Sequence, residues 1–333
     1  MRITRTDLSD TRERAELDDW LEASPTATPF HTIAWNETVR DVFATSLRYI
    51  VARDGTDIVG LLPCHVIKDR SGTLRCWSPP RGYEVSYGGP LTLPDVDRAV
   101  SSSLVLAASR FVHGSPVLIY NSPLNTAWSY ARPWRARVEF ETPILDLTPS
   151  LDALWEGAVA SKRRNMIRKA ESRGVVASCA GGQDLEALSA LLDPQGSETA
   201  DHRRSMSYYA GIIDRLGPSD RARLYVARHE GTPLAAAAFV RHNSVCYYWI
   251  SATRKDVPSL GQSELLQWQA IKWAKECGCS RYDLVGLDRE LLPGIATFKL
   301  GFTRTTETFT HVVHTGLRGR AKSRVGRLVG RGS

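Results

Sequence analysis

The chain has 333 residues, enough for two domains of ordinary size, and its 42% hydrophobic and 24% charged residues are the balance of a folded globular protein, which excludes a disordered one. Its net charge of +7 is concentrated at one end: Arg318, Arg320, Lys322, Arg324, Arg327 and Arg331 follow Gly316 with no acid among them, so the body is close to neutral and the charge alone does not mark a nucleic-acid-binding fold. No apolar run nears the roughly 20 residues that span a bilayer, the start Met1-Arg2-Ile3-Thr4 lacks an apolar leader, and the six cysteines offer no two pairs at zinc spacing, so a cytoplasmic protein with reduced thiols and no metal is expected.

In chain order, an acidic helical stretch covers Asp10 to Leu21, followed by Pro29-Phe30-His31 and a short amphipathic segment with Trp35 and Val39. A strand, an Asp-Gly-Thr turn and a second strand occupy Tyr49 to Gly60. The same pattern returns in register from Tyr225 to Ala236, an offset of 176 residues, about half the chain. Duplication of a domain explains that offset better than a chance likeness of two hairpins. Glycines in Ser86-Tyr87-Gly88-Gly89-Pro90 mark a loop; a helix from Asp95 to Phe111 and a strand from Val117 to Tyr120 follow, and Pro143 to Leu147 ends the first half.

A helix is predicted from Thr148-Pro149, a cap followed by proline, to Gly174. Its first part is apolar, whereas Lys162, Arg163, Arg164, Arg168 and Lys169 give its second part five cations without an acid between positions 157 and 170. Helices over Asp184 to Leu192 and Ser205 to Leu216 come next, with a loop through Gly196 between them, and then strands over Leu224–His229, Leu234–Arg241 and Val245–Ser251. Ser259-Leu260-Gly261-Gln262 reads as a capping box opening a helix that runs to Gly278, and Tyr282 to Gly286 reads as a strand. Strands flanking helices in this order predict an α/β fold.

The sequence lacks GxGxxG, GxxxxGK[ST], HExxH and GxSxG, so nicotinamide chemistry, nucleotide hydrolysis and zinc or serine hydrolysis are poor expectations. His311 and His314, three apart in a predicted strand, point to opposite faces and do not share a metal.

One trail runs through the second half: Ser161-Lys162-Arg163-Arg164-Asn165, Arg204 with Tyr208-Tyr209, Leu265-Leu266-Gln267-Trp268, Tyr282-Asp283-Leu284, and Gly294-Ile295…Phe298-Lys299…Gly301-Phe302. In that order these segments resemble the Fem family of aminoacyl-tRNA-dependent peptidyltransferases, and Trp35, Leu62-Pro63 and Tyr87 to Pro90 look like Fem-related proteins of glycan pathways. The resemblance implies two tandem GNAT-like domains, each a twisted mixed sheet flanked by helices, at 1–147 and 148–311, with 312–333 a terminal strand and basic tail packing back on the first domain. It implies an acceptor held in the cleft between the halves and transfer of an aminoacyl group from aminoacyl-tRNA to an amine of a peptide acceptor, without a further cofactor. No helical insertion of the kind that serves tRNA in longer members is present, which keeps the alternative of acyl-CoA as donor open. Against CoA, Val257-Pro258-Ser259-Leu260-Gly261-Gln262-Ser263 departs from the [QR]-x-x-G-x-[GA] turn that binds a CoA pyrophosphate. A non-catalytic binding scaffold is the third alternative.

Within this resemblance Lys299 is the catalytic candidate, a cation for the oxyanion of acyl transfer, with a solvated turn lysine as the bland alternative. Phe298 packs or stacks on a terminal adenosine; Arg204 and Tyr208, four apart on one helix face, contact the acceptor; Tyr248 lines the same cleft; Asp283 orients Lys299 or the amine. Lys162, Arg163, Arg164, Arg168 and Lys169 are the tRNA-binding candidates. No general base is assigned.

Overall fold

The computed structural model describes residues 1–68, 72, 74–80, 86–94, 96, 99–113, 117–125, 136–179, 184–193 and 199–314. The chain divides into two compact units, one of Met1–Phe140 with the segment after Thr308, the other of Glu141–Glu307. The basic tail and Gly196 lie outside the described residues. Among the described residues no helix is long and apolar enough to cross a membrane.

The first unit runs β1 (Arg2–Thr6), α1 (Thr11–Ala23), α2 (Ile33–Phe43), β2 (Ser46–Asp54), β3 (Asp57–Lys68), β4 (Leu74–Ser78), β5 (Leu91–Thr92), α3 (Ala99–Phe111) and β6 (Val117–Tyr120). Strands β1 to β4 pair antiparallel in sequence order, and β6 then lies parallel to β4. Helix α1 starts where Asp10 caps the N–H groups of Arg12 and Glu13, and its Leu17 and Leu21 are buried. Buried His65 is fixed between Thr45 Oγ1 (2.7 Å) and Asn36 Oδ1 (2.8 Å). Burial pulls its pKa down to about 3, so it fastens β3 to α2 as a neutral ring.

Strand β7 (Ala136–Asp146) crosses from the first unit into the second at Phe140, and α4 (Leu151–Ala153, continued as a wide turn Leu154–Ala158) and α5 (Ser161–Ser172) follow in the second. The second unit then repeats the order of the first: β8 (Val176–Cys179), α6 (Asp184–Leu192), α7 (Ala200–Leu216), β9 (Ala222–His229), β10 (Thr232–His242), β11 (Val245–Thr253), α8 (Gln262–Glu276) and β12 (Arg281–Asp283), before α9 (Pro293–Lys299); most of β13 (Thr306–His314) belongs again to the first unit. Here too β8 to β11 pair antiparallel in sequence order and β12 lies parallel to β11. The repeated hairpin seen in the sequence is β2–β3 and β9–β10, with the tight turn one residue later in the first copy and a bulge near it in both. Two mixed α/β units of one topology are therefore present, as the tandem reading expects. The core of the second unit joins Leu265, Leu266, Ala270 and Trp273 of α8 to Tyr225, Ala235, Phe239 and Tyr282 of the strands.

Several element bounds differ from expectation. The helix predicted over Thr148 to Gly174 is two helices, capped at Ser150 rather than Thr148, whose own N–H and hydroxyl go to Asp146. The chain leaves helical geometry at Val159–Ala160 because Ala160 N–H donates to Gly301 O (2.9 Å) and Arg164 closes the first helix, its Nη1 donating to the carbonyls of Trp155, Glu156 and Val159. The seventeen-residue α7 starts at Ala200, five residues early, capped by Thr199. Helix α3 is seen from Ala99. The strand after Tyr282 ends at Asp283, because Val285 and Gly286 turn left-handed. No capping box opens α8: Ser259 Oγ accepts from Gly261 N and Gln262 Oε1 accepts from Leu260 N, and the helix starts at Gln262 behind Gly261.

Gly261 sits at φ 94°, and a Cβ there would come within 2.0 Å of Met166 O, backbone against backbone where α5 meets the start of α8. Gly261→Ala therefore combines left-handed strain with a clash that no side chain can relieve, and is expected to lose at least ~2 kcal/mol in urea unfolding. An unchanged midpoint would mean the two helices part readily.

Candidate active site

Strand β11 runs beside β12 only as far as Tyr247↔Asp283. Beyond that pair β11 continues to Thr253, while the partner chain turns away through Leu284, Val285 and Gly286. The divergence opens a cavity of about 670 Å³ in the second unit, walled by Ala235–Ala237, Tyr248–Thr253, Leu266, Gln267, Phe298 and Lys299. The first unit closes the equivalent seam. There Gly88 N donates to Tyr120 O (2.7 Å), Gly89 N to Ser78 Oγ (3.0 Å), and Gly89 lies so close to Asn121 that a Cβ would meet its Oδ1 at 2.3 Å.

Lys299, at the last turn of α9, reaches the divergence with its ammonium. Nζ donates to Val285 O (2.5 Å) and Gly286 O (2.9 Å) and lies 5.9 Å from the Tyr248 ring centre. Burial draws its pKa down from the ordinary lysine value to about 8, with the nearby charge of Asp283 opposing the shift. Asp283 is fully buried beside Lys299. Its Oδ1 accepts from Thr142 Oγ1 (2.5 Å) and from Val285 N (2.7 Å), while Thr142 Oγ1 accepts from Gly286 N (3.1 Å). Asp283 thus holds the turn that presents the two carbonyls, besides its direct charge effect on Lys299.

Tyr248 lines this cavity of the second unit, its hydroxyl donating to Ser251 Oγ (2.5 Å), and burial raises its pKa. Phe298 also lines it, edge-on to Phe302 with ring centres 5.4 Å apart, and the Arg163 guanidinium lies 4.9 Å from its ring centre. Tyr208 and Arg204 do not form a pair. Tyr208 is 1% exposed and packs edge-on against Trp249 at 5.7 Å, forming the layer behind a cavity wall, whereas Arg204 is exposed and faces Asp201 at 3.7 Å.

The basic run also divides. Arg163 is buried, bonded to Glu264 (2.7 Å) and to Thr297 O (3.1 Å), and Arg164 is spent on three carbonyls, so neither serves as a surface tRNA contact. Lys162, Arg168 and Lys169 are exposed, with Lys169 donating to Ser259 O and Arg168 lying 5.3 Å from the Trp155 ring centre. His311 packs against Tyr120 in the first unit, ring centres 4.1 Å apart, and no group of metal-ligating side chains occurs among the described residues.

Four polar residues of the site escaped the sequence reading: Thr142, Ser251, Gln267 and Glu264. Gln267 is buried and accepts from Tyr282 Oη at 2.5 Å; its only signal was a polar residue inside the apolar stripe Leu265-Leu266-Gln267.

Residues 159–300 match the family described as "Acetyltransferase (GNAT) domain". No curated protein matches the chain. Among solved structures it is similar to FemX, at 14% identity and a TM-score of 0.67, covering 93% of this chain and 97% of that one. It is also similar to the L-PGS of Bacillus licheniformis, at 14% identity, TM-score 0.58 and coverage of 97% and 98%. A tandem GNAT protein from the clavulanic acid biosynthesis pathway gives 14% identity, TM-score 0.58 and coverage of 94% and 98%. With the duplicated topology of its two units, the chain has a tandem GNAT-like fold similar to that of these proteins.

Proposed function

We propose that the chain is an N-acyltransferase whose chemistry takes place in the cavity of the second unit, and that the donor is an aminoacyl-tRNA and the acceptor an amine of a small peptide. One observation carries the reading: a lysine ammonium held at the point where β11 and β12 part, inside a pocket large enough for an acyl group. In such a transfer the neutral amine attacks the acyl carbonyl, the carbonyl oxygen takes negative charge, and the carbon–oxygen bond to the donor breaks as the amine loses its proton. The ester is already activated, so the protein's contribution is to orient the amine, exclude water and steady that charge. Lys299 supplies the cation.

Two features favour an aminoacyl ester over acyl-CoA. A CoA pyrophosphate would sit on free backbone amides at the start of α8. Here the N–H groups of Leu260 and Gly261 are taken by Gln262 and Ser259, and the carboxylate of Glu264 stands in the first helical turn. The cavity's described lining includes Lys255 and Lys299 and no carboxylate, so it suits an uncharged acyl group better than a lysyl or arginyl one.

The test supplies the purified full chain with a panel of peptide amines and either a pool of aminoacyl-tRNAs or acetyl-CoA, and looks for products by mass. The expected result is an aminoacylated amine whose formation stops on ribonuclease treatment. Acetylated product that is indifferent to ribonuclease would move the donor to CoA; no product from any pairing would leave only a binding role.

A further inference from the structure

We propose that Thr142 and Asp283 are positioning residues that hold the Val285–Gly286 turn in a left-handed conformation, so that its two carbonyls clamp Lys299 and leave one ammonium N–H directed at the ligand in the cavity. The proposal rests on the acyl-transfer reading of that cavity only for what the remaining N–H does.

A lysine ammonium has three donors in tetrahedral array. Two are consumed by Val285 O and Gly286 O, so the direction of the third is fixed by the turn rather than by a flexible four-carbon chain. The turn is not one that its sequence adopts freely: Val285 has φ 53° and Gly286 φ 62°, and a β-branched residue in the left-handed region is a strained outlier. Such strain persists where surroundings over-determine it, and it marks functional sites. The surroundings here are explicit. Asp283 Oδ1 holds Val285 N, Thr142 Oγ1 holds Gly286 N, and the Thr142 hydroxyl donates to the same Asp283 oxygen, so one hydroxyl from β7 and one carboxylate from β12 satisfy both amides of the turn. The carboxylate does this from full burial, with its charge close enough to Lys299 to favour the ammonium.

The test reads Lys299 directly. In protein carrying 13Cε-lysine, the Lys299 signal is assigned by its loss in Lys299→Met and titrated in the wild type, Thr142→Val and Thr142→Ser, with melting curves confirming the fold. The wild type is expected to titrate near 8. In Thr142→Val the carbonyls no longer hold the ammonium and the midpoint moves by about one unit or more, upward where water reaches the freed group and downward where it stays buried without them, whereas Thr142→Ser, which keeps the hydroxyl, stays near the wild type. Turnover of the acceptor falls about 100-fold in the valine variant and is largely restored in the serine variant. If Thr142→Val does not fold, Thr142→Ala is read in the same way. A Lys299 midpoint that stays put when the hydroxyl is removed overturns the clamp, whether or not a donor is known. If no donor turns over at all, the acyl-transfer reading fails separately while the titration still decides the clamp.

Discussion

Lys299→Met is expected to cut acyl transfer by about 10³-fold while leaving the melting temperature equal to or above that of the wild type. The first half follows from losing the cation that faces the developing oxyanion. The second follows from burial. A lysine whose pKa is drawn down to about 8 in the folded state, against 10.5 unperturbed, binds fewer protons folded than unfolded between those values. Its destabilising contribution is therefore fully present below pH 8 and fades as pH rises from 8 to 10.5. At pH 7 that contribution is about 3 kcal/mol before the bonds to Val285 and Gly286 offset part of it. Removing the charge relieves that cost at the expense of two carbonyl contacts, so stability holds while turnover collapses. A fold that lost stability together with activity would make Lys299 a structural lysine.

Glu264→Ala is expected to cost about 3–5 kcal/mol and to lower the melting temperature by roughly 10 °C, the largest stability effect in the second unit. The pair it breaks is enclosed: Arg163 Nη1 and Glu264 Oε1 lie 2.7 Å apart with side chains 10% and 7% exposed. Arg163 is also pressed against Gly301, where a Cβ would come within 2.5 Å of its Nε. Deleting the carboxylate strands the guanidinium without a counter-charge, which is costlier than the pair itself is favourable. The double variant Arg163→Met with Glu264→Leu, which fills the space without charge, should therefore recover most of the loss. Urea unfolding of the three proteins checks this; equal losses in the single and double variants would contradict it.

The duplication was legible because each half carries its own hairpin with an acidic-Gly-Thr turn, a local signal that survives divergence elsewhere. Lys299 and Phe298 were picked out through the motif order and Tyr248 through its strand, and the structure places all three on the cavity wall. The basic run misled because charge was counted along the sequence instead of around the helix. Arg163, Ile167 and Ala170 share one buried face at helical spacing, which a helical projection reveals. For Arg204 and Tyr208 the projection itself misled, since both share a face with fully buried Ile212, yet Tyr208 is covered by Trp249 while Arg204, one turn earlier, emerges into solvent. The clamp was not legible at all. Thr142 and Asp283 stand 141 residues apart, and nothing in Leu284-Val285-Gly286 announces a left-handed valine, because that conformation is imposed by partners from another strand. The break at Val159–Ala160 has the same origin, since Gly301 and Arg164 impose it from outside the local sequence.

The most direct test of a lysine cation at the reaction centre is the pH dependence of the transfer rate, measured from pH 6 to 9.5 at saturating donor and acceptor in the wild type. The rate should climb while the acceptor amine sheds its proton and then fall through a limb near 8 as Lys299 sheds its own. A rate that goes on rising through pH 9.5 would show that no ammonium at this site takes part in the transfer.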